Sequence, residues 1–147
     1  MLDVTRARIS ELGLDAGNVE FVHADLVGWT PPGNSFDLIV THFVLDCFTE
    51  RQLELILARL AHAATADARW LAADFREPEK GPARWRAQAI LAVTYIFFRW
   101  ATGIAAERLP AIDALMGRQG FVLRERRIFE WGLLQSDLWG RERASLA

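Results

Sequence analysis

Residues 36–75 constrain the fold more than any other part of the chain. Phe36 to Thr41, FDLIVT, contains the continuous apolar run Leu38-Ile39-Val40 expected of a strand buried on both faces. Thr49-Glu50-Arg51-Gln52 then forms a capping box, in which the threonine hydroxyl accepts an amide and the glutamine reaches back. Behind it Leu53, Ile56, Leu57, Leu60, Ala61 and Ala64 make one helical stripe. Arg69 to Phe75, RWLAADF, is a second strand. A strand, a helix and another strand of these lengths form a crossover unit, which predicts α/β architecture with a mostly parallel sheet.

The rest of the chain extends this pattern. Met1 to about Leu12 is predicted helical, with Leu2, Ile9 and Leu12 on one side and Gly13 as the stop. Val19 to His23, VEFVH, is a short strand candidate, and the residues PPGNS at 31–35 are a turn cluster. EPEKGP at 77–82 is a polar turn, followed by a predicted long helix from about Ala83 to Thr102 closed by Gly103. Pro110 opens a shorter helix that stops near Gly120. Phe121 to Phe129 and Gly132 to Trp139 are strands whose short connection requires an antiparallel pair. With no internal repeat and no linker, residues 1–147 are expected to be one domain or a piece of one.

Composition narrows the function classes. The chain has 147 residues, 52% hydrophobic and 24% charged, which excludes disorder. A net charge of -2 gives no electrostatic reason to expect nucleic acid. The single cysteine, Cys47, excludes an internal disulfide or a zinc site built from cysteines, and a reducing cytoplasm is expected. The three histidines, at 23, 42 and 62, lack helical ligand spacing, so no metal is expected. The most apolar stretch, Ala89 to Phe98, is ten residues, about half of what a bilayer needs. No GxGxxG, GxxxxGK[ST] or GxSxG motif occurs.

Chemistry-bearing residues cluster where strands end. In open α/β sheets, ligands bind at the carboxyl ends of the strands. Asp25 sits there after the first strand candidate, either to accept from an exocyclic amine or hydroxyl or to cap a turn. Thr41, His42, Phe43 and Asp46 follow the next strand. His42 is the candidate general base, or else a structural hydrogen bonder. Asp46 either caps the next helix or faces a pocket. Cys47 lacks a basic neighbour and is expected to pack. Asp74 and Arg76 come at the end of the strand at 69–75, to orient a substrate or to pair with each other.

In register, VEFVHADL at 19–26, PPGNSFDLIVTHFVLDCFTERQL at 31–53, ARWLAADFREP at 68–78, TGIAAERLP at 102–110, GFVLRERRIF at 120–129 and GLLQSDLW at 132–139 resemble the class I S-adenosylmethionine-dependent methyltransferases. The resemblance covers essentially the whole chain, from that family's third strand to its seventh. It implies a Rossmann-like sheet of order 3-2-1-4-5-7-6, mostly parallel with a C-terminal antiparallel strand. It implies S-adenosylmethionine as cofactor, with Asp25 on the adenine amine, Leu26 near the ring, and Thr41, His42 and Phe43 lining the cofactor. Residues 81–119 correspond to a helical insertion covering the substrate pocket, where Trp85, Tyr95 and Phe98, with Asp46, would face a small-molecule substrate.

The departure from the family is equally specific. The family's first strand, its GxGxG loop, the helix after it and the second strand with its ribose-binding acid have no counterpart here. Met1 to Leu14 resembles the helix that follows that acid. The resemblance therefore implies a sheet missing its first two strands and a bare apolar edge on strand 36–41. Two expectations follow: methyl transfer to a small molecule in a longer parent protein, or an inactive module that pairs with another chain, or a second copy of itself, through that edge.

Overall fold

The computed structural model describes residues 2–13, 19–76, 85 and 112–141. Within these, α1 spans Leu2–Glu11, β1 Phe36–His42, α2 Glu50–Ala63, β2 Ala64–Phe75, α3 Ile112–Arg118, β3 Phe121–Phe129 and β4 Leu134–Arg141. The four strands form one sheet in the order β1-β2-β4-β3. β1 runs parallel to β2, and β4 runs antiparallel to both β2 and β3. Three strands therefore point one way and only β4 opposes them. The expected mostly parallel sheet with one antiparallel C-terminal strand is present.

Period-two alternation decides which residues enter the core. Ile39 of β1 pairs with Trp70 of β2, and Trp70 pairs with Trp139 of β4. Their side chains share one face with Ala72, Phe121 and Leu123, and α2 and α3 pack on that face through Leu53, Ile56, Leu57, Leu60, Leu115 and Met116. Trp70 is fully buried, its indole N–H donates to Thr41 Oγ1 at 3.1 Å, and Phe121 meets it edge-on at 5.5 Å between ring centroids. The capping box of α2 forms as expected: Gln52 N donates to Thr49 Oγ1 at 3.4 Å, and Thr49 N donates to Gln52 Oε1 at 3.1 Å. Asp137, 1% exposed, takes two guanidinium bonds of 2.8 Å from Arg126, which also reaches Asp113 of α3. That network ties both C-terminal strands to the helix above them.

Three expectations change. Residues 19–23 form no strand and belong to no sheet, and Val19 and Val22 are exposed. An extended segment counts as a strand only when it pairs in a ladder, and residues 19–23 are in no ladder among the described residues. Strand 36–42 is buried on one face rather than two, since Leu38 is 53% and Val40 51% exposed. The second strand starts five residues earlier than expected, at Ala64, directly at the end of α2. The predicted helix at 83–102 and most of the 81–119 insertion lie outside the described residues. The short helix after Pro110 is present as α3, with Gly120 at φ +76 just beyond it. No helix among the described residues is long and apolar enough to cross a membrane.

Candidate functional site

The parallel pairing of β1 and β2 brings their carboxyl ends side by side, with His42 opposite Ala73. Beyond β1 the backbone turns sharply at Phe43, whose φ is +50, a left-handed value uncommon for a bulky residue. The turn is held by Phe43 N donating to Ala73 O at 2.8 Å and by the Phe43 ring against Phe75, 5.2 Å between centroids. It delivers the 3-10 turn Leu45–Cys47 across the end of β2.

There Asp46 and Asp74 are both 7% exposed. Burial pushes the Asp74 carboxyl up to about 7, the nearby Asp46 charge adds to this, and the backbone amides of residues 44–46 pull against it. Burial raises Asp46 as well, opposed by a hydrogen bond from Cys47. One oxygen of Asp74, Oδ1, is buried without a hydrogen-bond partner among the described residues. A buried carboxyl that titrates near neutrality has the proton affinity required of a general base or acid. Asp74 makes no ion pair with Arg76, whose amide instead donates to Leu133 O at 2.7 Å. The Cys47 thiol is pushed up to about 11 by burial and by Asp46, which fits a packing cysteine and not a nucleophile.

The other expected site residues are placed as follows. His42 is exposed, on the open face with Leu38 and Val40. Asp25 is exposed and caps its own turn: Val27 N donates to Oδ1 at 3.0 Å, and Trp29 N donates to Asp25 O at 2.8 Å. A carboxylate has further acceptor capacity, so this turn leaves Oδ2 available to a ligand. Leu26 and Thr41 are brought together. With Trp29, Phe36, Leu38, Val44 and others they line a cavity of about 300 Å³ along the free edge of β1. Trp85 is 78% exposed, and Tyr95 and Phe98 lie outside the described residues. Sequence reasoning gave Asp74 too little weight. Its signal was there in RWLAADF, where a lone acid interrupts an apolar strand at its carboxyl end.

Neither a protein-family model nor a curated protein matches the sequence. Solved structures do. The mitomycin 7-O-methyltransferase MmcR aligns with 93% of this chain at a TM-score of 0.69 and 20% identity, over 38% of its own length. The pyocyanin biosynthetic protein PhzM aligns with 96% at 0.65 and 18% identity, over 40% of its length. LepI, solved in complex with SAM, aligns with 91% at 0.62 and 21% identity, over 33% of its length. This chain has the class I methyltransferase fold. It spans between a third and two-fifths of these three methyltransferase-fold chains. The sheet order β1-β2-β4-β3 matches the 4-5-7-6 part of the strand order implied by the sequence resemblance, with β1 at the edge of the described sheet.

Proposed function

We propose that this chain carries the adenosine-facing part of an S-adenosylmethionine-dependent methyltransferase that modifies a small molecule. The observation that carries the proposal is the cavity at the open β1 edge, where Leu26 and Thr41 meet within a methyltransferase fold. The residues present fit one half of the cofactor. Leu26 and Trp29 offer apolar surface to a flat ring, and the exposed Asp25 carboxylate can accept from its amine. The sequence holds no glycine loop for the methionine half, so methyl transfer belongs to a protein in which other residues complete the site.

When bound, S-adenosylmethionine supplies a methyl group on a sulfonium, and the protein's share is alignment plus at most one proton transfer. Two groups on this chain suit that transfer. His42 stands exposed at the end of β1, and Asp74 sits buried at the end of β2 with a carboxyl near neutrality. Asp46, beside Asp74, would face the substrate. Thr41 and Phe43 shape the cofactor side, Thr41 through the cavity wall and Phe43 through the turn it makes. Trp85, Tyr95 and Phe98 remain the candidate substrate cover.

Thermal unfolding of the chain with and without millimolar S-adenosylmethionine tests this. A ligand at 100 times its Kd stabilises by about 2.7 kcal/mol, a shift of several degrees for a domain of this size. A shift that Asp25→Ala reduces is the expected result. No shift on a cooperatively folding chain would remove the cofactor from the account.

A second proposal has its own support. Leu38 and Val40 are half exposed beside the unpaired backbone of β1, a surface suited to strand addition. The chain would then act as an inactive module that pairs with a second copy of itself or with another chain. Sedimentation over a concentration series separates the two, since pairing predicts concentration-dependent mass that Leu38→Lys lowers.

A further inference from the structure

The cavity along the outer edge of β1 has apolar walls and one hydroxyl. That hydroxyl belongs to Thr41, and none of the described residues that line the cavity carries a charge. Thr41 is 7% exposed. It pairs with Ala72 of β2, which sets its side chain on the helix-covered face with Ile39 and Trp70. Leu60 of α2 lines the cavity from that same face.

The hydrogen bonding of that hydroxyl is set by its neighbour. The Trp70 indole N–H donates to Thr41 Oγ1 at 3.1 Å. An indole nitrogen only donates, so it occupies a lone pair of the oxygen and leaves the hydroxyl proton unused. Thr41 donates to no acceptor among the described residues. Trp70 approaches from the β2 side, and the cavity lies on the other side, along the edge of β1. Trp70 is fully buried and packed edge-on against Phe121, so its bond holds Oγ1 in place. An unused donor on the wall of an apolar cavity is a group that a ligand can satisfy.

Another wall of the cavity is fixed as well. Leu26 and Trp29 belong to a turn in which Asp25 O accepts from Gly28 N at 3.0 Å and from Trp29 N at 2.8 Å. Arg59 of α2 ties that turn to the helix by donating to Val27 O. Fixed walls hold a flat ring in one pose, and a single pose lets one donor meet one ring atom.

We propose that Thr41 determines the specificity of this cavity by donating its hydroxyl proton to a ring nitrogen of a flat heteroaromatic base. The proposal rests on the reading of the cavity as the adenosine-facing site, and adds the atom by which the base is recognised. Apolar walls accept any flat ring of the right size. The buried donor separates a ring with a nitrogen at that place from one with a C–H, because the C–H leaves the donor desolvated and unpaired. Trp70 has a positioning role, since it holds the Thr41 oxygen and spends the lone pair that would otherwise accept from a ligand.

Equilibrium dialysis of the full chain tests the proposal, with adenosine as the probe beside its deaza analogues, in which one ring nitrogen at a time becomes C–H. One analogue should bind about tenfold more weakly than adenosine, the loss of one buried hydrogen bond, while the others match it. Thr41→Val should weaken adenosine by about the same factor and bind adenosine and that analogue equally. Thr41→Ser should restore the preference. The analogue comparison uses the unaltered chain, so it tests the proposal even if Thr41→Val, which also strips Trp70 of its acceptor, fails to fold. Equal binding of adenosine and every analogue, or a preference that persists in Thr41→Val, would overturn the proposal and leave the cavity an adenosine site. Absence of adenosine binding at millimolar concentration would overturn the adenosine reading of the cavity together with the proposal.

Discussion

The two sides of the sheet solve the same problem with unequal success. On the β2–β4–β3 side β2 and β4 are paired along both edges, and β3 ends the sheet. Trp70, Phe121 and Trp139 interlock beneath α2 and α3, and Arg126 closes the polar gap around Asp137. On the β1 side a strand of equal apolar character ends the sheet. Leu38 and Val40 face outward, and residues 19–25 form no strand. The difference lies in partners and not in local propensity. VEFVH and FDLIVT are both good strand sequences, but among the described residues the second is paired in the sheet and the first is not. A strand is a relation between segments, and local propensity alone does not supply the second segment.

The largest expected effect lies on the packed side. Trp70→Ala removes a fully buried ring together with its bond to Thr41, and should cost about 4 kcal/mol in denaturant unfolding. A cost below about 1 kcal/mol would mean that the packed side is no firmer than the other.

Asp74→Asn comes next, and its effect depends on pH. The folded-state carboxyl is raised from 3.8 to about 7, so its stabilising contribution is complete below about pH 4 and is lost as pH rises through 7. The asparagine variant should therefore be more stable than the parent by about 2 kcal/mol at pH 8, with the gain vanishing near pH 4. Melting curves across that range check the sign. A gain that is constant with pH would show that charge burial is not the cause.

The expected effects then become smaller. Thr49→Ala opens the capping box of α2 and should cost about 1 kcal/mol. Leu38→Lys, on the open face of β1, should change stability by less than about 0.5 kcal/mol while lowering any self-association. A large loss of stability from Leu38→Lys would contradict the exposed placement of this strand face.

The sequence made legible those features whose signals are local or whose partners lie within the chain. The capping box, the α2 stripe, the parallel β1–β2 unit and the antiparallel closing pair all follow from short-range pattern and connection length. The turn aspartate at 25 was one of two alternatives open from its position, and its carboxylate does cap the turn. Burial of Asp74 was not legible, because it depends on the Phe43 turn folding residues 44–46 over the end of β2. Propensity alone predicts a strand at 19–23, but pairing depends on a neighbour that local sequence does not encode, and the segment is in no sheet among the described residues. The bulge at Arg124 left no mark in the alternation of GFVLRERRIF.

Residue-resolved hydrogen exchange, on the chain diluted until it is monomeric, tests the contrast between the two sides most directly. The account predicts slow exchange set by global unfolding at Trp70, Leu71, Leu138 and Trp139, and fast exchange at residues 19–25 and at the outward-directed amides of β1. Equal, strong protection along β1 and through residues 19–25 would show that this side is closed, and would contradict the open edge on which the proposed function rests.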